Sequence, residues 1–174
     1  MMKPFLVTVA TLALILLELL CGNRLPPMLF PLYGAVYFAV AYRKRTGLIS
    51  AAAAGMLLDL LYSRPFMLLM FFLPAAVLAV LPVVKRFRRQ LPLAPLGAGA
   101  VCGAASTVIT FLCCRIYHTA FPAPDFFSMI IFQTFTGAFF MLIFTSASDY
   151  LGFKCNLPRF SASGNSKRRM HGDE

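Results

Sequence analysis

The sequence predicts an all-α integral membrane protein with six transmembrane helices, and three observations lead there. Hydrophobic residues make up 60% of the chain and charged residues 13%, whereas soluble domains average about 45–50% apolar and about 25% charged. The apolar residues gather in six runs, each near the roughly 20 residues that a helix needs to cross a bilayer. The net charge is +10. In a soluble chain that would suggest nucleic acid, but these cations cluster at the ends of the apolar runs, where Lys and Arg act as topology signals, so no nucleic-acid partner is expected. The 174 residues are filled by a six-helix domain over 1–153 and a tail over 154–174, leaving no room for a separate soluble domain.

The first span covers about residues 4–21, behind Lys3. Its apolar run exceeds the roughly 7–15 residues of a signal peptide, Glu18 interrupts its end and no small-residue cleavage site follows, so it is expected to remain as a span. The second, about 27–42, begins among Pro26, Pro27 and Pro31, which suit a helix start because the missing N–H would be unpaired there anyway. Arg43, Lys44 and Arg45 close it. The third, about 46–62, carries Ala51, Gly55 and Asp59 four residues apart, hence on one helical face. That face is expected to meet protein, because a carboxyl group in hydrocarbon costs at least about 2.5 kcal/mol.

Pro74 and Pro82 should kink the fourth span, about 66–84, and Lys85, Arg86, Arg88 and Arg89 follow it. The fifth, about 94–117, places Gly99 and Gly103 in a GxxxG arrangement. Such a face lets two helix backbones approach closely, and packing within the molecule is favoured over a dimer contact. A loop with His118, Pro122, Pro124 and Asp125 leads into the sixth span, about 126–148, which holds Gln133, Thr134 and Thr136. From Lys154 the chain turns polar and basic, ending in Lys167, Arg168 and Arg169, a composition expected to stay disordered.

With the N-terminus in the cytoplasm, all sixteen Lys and Arg except Arg24, Arg64 and Arg115 fall on the cytoplasmic side. This asymmetry fits six spans with both termini inside. The inner loops also attract anionic lipids, by about 1 kcal/mol per nearby Lys or Arg. Counted from the cytoplasmic ends of their helices, Glu18 and Asp59 both lie about 20 Å deep, in the outer third of the bilayer. Arg24, Arg64 and Arg115 lie just beyond them. One reading has the acids pair with these arginines and fix helix packing. The sharper reading is a polar recess, open to the outside, that receives a ligand or a partner's helix, and it expects Asp59→Asn to weaken function at unchanged protein level.

The five cysteines, Cys21, Cys102, Cys113, Cys114 and Cys155, show no zinc spacing and are expected mostly as small buried hydrophobes. Cys21 and the Cys113/Cys114 pair fall near the outer face, where a disulfide between them is one option. No HExxH, GxSxG or phosphate-binding glycine loop occurs, and neither an enzyme nor a cofactor or metal is expected.

The segment GMLLDLL, Gly55 to Leu61, followed by Ser63-Arg64-Pro65, resembles the bacterial rod shape-determining protein MreD family, as do the chain length and the order of six short spans over residues 1–153. Where that family commonly has a glycine soon after the proline, this chain reads Phe66-Met67-Leu68. The resemblance implies a fold similar to the substrate-binding S-components of energy-coupling-factor transporters. It implies a non-enzymatic scaffold of the cell-elongation machinery in the bacterial inner membrane. Its partners would be the membrane protein MreC, the MreB cytoskeleton, and RodA with its partner transpeptidase. Of the site residues, it supports Gly55 and Asp59. The alternative is an S-component-like subunit that binds a vitamin or other small solute in the outer recess.

Overall fold

The computed structural model describes residues 2–21, 29–63, 66–87, 94–118, 126–154 and 160. They form six α-helices: α1 (Met2–Cys21), α2 (Phe30–Ala41), α3 (Lys44–Leu61), α4 (Leu68–Phe87), α5 (Ala94–Ile116) and α6 (Phe126–Lys154). Each apolar run is one helix. The main difference in extent is at the end of α6, which continues to Lys154 instead of stopping near 148. The fourth helix continues through Pro74 and Pro82.

Helices α4, α5 and α6 are long and apolar enough to cross a membrane, while α1 and α2 hold the shorter apolar stretches Phe5–Cys21 and Phe30–Ala41. At its 12 residues, α2 is only about 18 Å long, short of the roughly 30 Å hydrocarbon core. All of α2 except Val40 is buried, and it touches α1, α3, α4 and α5. A helix apolar on every side belongs in the interior. The sequence expected a second span that is short; α2 is short and is also the central post around which the others stand.

Small residues set the helix spacing. A Cβ on Gly47 would lie 2.5 Å from the Ala35 carbonyl oxygen and 2.7 Å from the Ala39 Cα, so α3 runs back along α2 in near backbone contact. Helices α5 and α6 meet in the same way. A Cβ on Gly99 would come within 2.6 Å of Met141 Cβ, and one on Gly103 within 2.7 Å of the Gln133 carbonyl carbon. Gly137 completes the seam from α6, with the Gly99 carbonyl oxygen and the Tyr33 hydroxyl at 2.7 and 2.5 Å from its would-be Cβ. The GxxxG face is therefore an internal contact.

The outside is apolar where a water-soluble bundle would be polar. Along α6, Phe127, Ile131, Phe135, Phe139 and Ile143 recur every four residues and are 59–78% exposed. In water a stripe of that size drives association, whereas against lipid it is an ordinary surface. Polar side chains lie inside instead: Ser106, Thr107 and Gln133 are fully buried, and the Thr107 hydroxyl donates to Gln133 Oε1 at 2.8 Å.

Candidate functional site

The two acids inside the bundle perform the same task twice. Glu18, near the end of α1, is 1% exposed, and its Oε2 accepts a 2.8 Å hydrogen bond from the backbone N–H of Phe30, the first residue of α2. Asp59, near the end of α3, is also 1% exposed. Its Oδ2 accepts from the N–H groups of Leu69 at 2.7 Å and Met70 at 3.3 Å, both in the first turn of α4. The first four N–H groups of a helix have no partner within it, and the helix dipole favours negative charge at that end. Each carboxylate thus caps the helix that follows its own, closing the α1–α2 and α3–α4 hairpins.

Gly55 makes the second cap possible. A Cβ there would lie 2.5 Å from the Leu69 carbonyl carbon and 2.7 Å from the Met70 nitrogen. Without a side chain, α3 lets the start of α4 come close enough for Asp59, one turn further along the same face, to reach it. Ala51, fully buried, continues that face. In GMLLDLL the glycine and the aspartate therefore work as one unit.

Both acids are buried, each against the start of the helix that follows its own. Asp59 lies against the first turn of α4, and the two carboxylates serve separate helices. Among the expected arginine partners, Arg115 is exposed in the last turn of α5, over the Phe111 ring at 5.6 Å. Arg24 and Arg64 fall outside the described residues, as do Arg88, Arg89 and Cys155. Arg43, Lys44, Arg45, Lys85 and Arg86 are exposed. Cys21, Cys102, Cys113 and Cys114 are free thiols, so the optional disulfide is not formed. Among the described residues no group of three or more His, Cys, Asp or Glu could hold a metal ion.

Among the described residues three other than glycine adopt positive φ, and each adjoins the connection between two paired helices: Leu29 (φ 48°) before α2, Ser63 (φ 50°) after α3 and His118 (φ 52°) after α5. Ser63 ends α3 in the left-handed conformation usually given to glycine, its N–H reaching the Leu60 carbonyl at 3.1 Å. Since that conformation costs an L-residue about 1–2 kcal/mol, Ser63→Gly is expected to stabilise the protein by up to about 1 kcal/mol, read as a rise in the thermal midpoint in detergent. The Tyr117 hydroxyl donates to the Phe66 carbonyl, tying the end of α5 to the α3–α4 turn. Around that turn Leu60, Leu61, Tyr62, Phe66 and Met67 are 40–63% exposed.

At the opposite end, Asp149 Oδ1 accepts from the Tyr37 hydroxyl and from the Phe160 N–H, each at 2.8 Å. Phe160 is 4% exposed and stacks on the Tyr37 ring at 6.0 Å. Sequence reasoning missed this clasp because Phe160 stands alone in a polar tail. Asp149→Asn weakens both bonds, and the Phe160 amide is expected to exchange with deuterium at least about tenfold faster, as hydrogen-exchange mass spectrometry would show. Gly137 was missed as well, because no second small residue stands four positions from it.

Comparison of the chain with protein-family models, with curated proteins and with solved structures returns no match.

Proposed function

We propose that this chain is a non-enzymatic membrane scaffold of the bacterial cell-elongation machinery, of the MreD kind. In this reading it lies in the inner membrane with both termini in the cytoplasm, and α2 is a short span enclosed by the others. The observation that carries the reading is the Gly55–Asp59 unit. The two residues on which the resemblance rests lock α4 onto α3, which supplies a physical reason for a glycine and an aspartate four apart at that point in the chain.

Asp59 then acts on a partner indirectly. By holding the start of α4 to the end of α3 it presents the exposed apolar residues Leu60, Leu61, Tyr62, Phe66 and Met67 to the transmembrane or juxtamembrane segment of an MreC-like protein. Exposed apolar side chains on helix ends that are held together suit such a contact, because a pre-ordered surface loses little conformational freedom on binding. The cations after α2 and α4 face the cytoplasm, toward MreB filaments, with RodA and its transpeptidase joined through the same assembly.

The test is affinity purification of the tagged full-length protein from gently solubilised host membranes. An MreC-like protein is expected to co-purify, and Tyr62→Lys/Phe66→Lys to lose it while the protein remains folded. Absence of that partner, with a vitamin-like molecule retained on the purified protein, would overturn the scaffold reading in favour of transport.

A further inference from the structure

Between α1 and α3 lies a cavity of about 560 Å³, away from both capping carboxylates. Its walls are apolar at Val7, Leu12, Ile49, Ala53 and Leu57. Two of the hydroxyl groups that line it are turned onto their own helices: Thr11 donates to the Val7 carbonyl at 2.7 Å and Ser50 to the Gly47 carbonyl at 2.9 Å. One end of the cavity is formed by Tyr42, Arg43 and Thr46. There Arg43, Lys44 and Arg45 are exposed in succession, and the Arg43 side chain makes no cap hydrogen bond to the first turn of α3.

We propose that this cleft binds one anionic phospholipid, with an acyl chain along α3 and the phosphate against Arg43, Lys44 and Arg45. Apolar walls below a cluster of cations match an amphiphile with a negative head, and basic pockets of this kind on the cytoplasmic side recognise acidic lipid headgroups. The length agrees. From Thr46 to Leu57 the wall runs about 16 Å along α3, close to the roughly 15 Å depth of one leaflet. The inference adds a ligand to the proposed scaffold and rests only on its membrane placement, so failure to capture an MreC-like partner leaves it standing.

The test uses the purified full-length protein in neutral detergent, titrated with phosphatidylglycerol or with phosphatidylcholine of the same chains and read by native mass spectrometry. Wild type is expected to retain phosphatidylglycerol preferentially. Replacing Arg43, Lys44 and Arg45 by Gln should lower that retention about fivefold per cation removed, and Ala53→Phe, which fills the cleft, should abolish it. A photo-crosslinking residue at Ile49, used in native membranes, keeps the test valid if Ala53→Phe fails to fold; it is expected to yield an adduct of one lipid mass. Equal retention of the two lipids, retention unaffected by a folded Ala53→Phe protein, or a polypeptide adduct at Ile49 would overturn the proposal.

Discussion

Asp59→Ala is expected to lower the unfolding free energy by about 2–4 kcal/mol, because it removes a helix cap worth about 0.5–2 kcal/mol and strands buried donors at about 1–3 kcal/mol each. The donors are the N–H groups of buried Leu69 and half-buried Met70. Asp59→Asn should fall between alanine and wild type, since its side-chain oxygen still accepts from Leu69 but the charge facing the helix dipole is gone. Steady-state level of a fluorescent fusion, with a thermal melt of the purified protein, measures both variants. The position thus acts first on stability, unlike the sequence-based expectation of lost function at unchanged abundance. Wild-type melting of Asp59→Ala would mean that the start of α4 is held by something else.

Gly99→Leu is the second large effect. The Gly99 Cα faces α6 so closely that even a Cβ would meet Met141 Cβ at 2.6 Å and Ala138 Cα at 2.8 Å, so leucine must force the two helices apart. Overpacking in a core costs about 1–3 kcal/mol, and more where backbone is displaced. The same movement parts Thr107 from Gln133. The variant is expected to be scarce in membranes and aggregated after extraction. Normal abundance with loss only of self-association would move the seam from the interior to a dimer interface.

The helices were legible in the sequence because length, apolar content and punctuation by proline and arginine all act locally. The central position of α2 was not read from the sequence, although a run apolar on all sides is the mark of an interior helix. The work of Glu18 and Asp59 was not legible. Their partners are backbone N–H groups of Phe30, Leu69 and Met70, ten or more residues away, and every non-proline residue carries such a group. A sequence displays charged side chains, while a helix start is invisible until the helix is placed. Gly99 and Gly103 were legible as a close-approach face, but Gly137, the opposing half of the seam, had no patterned neighbour to announce it.

The clasp at Phe160 sets a leash on the chain beyond it. Covalent geometry allows at most about 3.5 Å per residue, so Lys167, Arg168 and Arg169 can travel no more than about 30 Å from the point where Phe160 is held. That radius is about one membrane thickness. Any contact that these three cations make must lie within it. Opening the Asp149 bonds would move the tether back to the end of α6 and enlarge the searched volume severalfold.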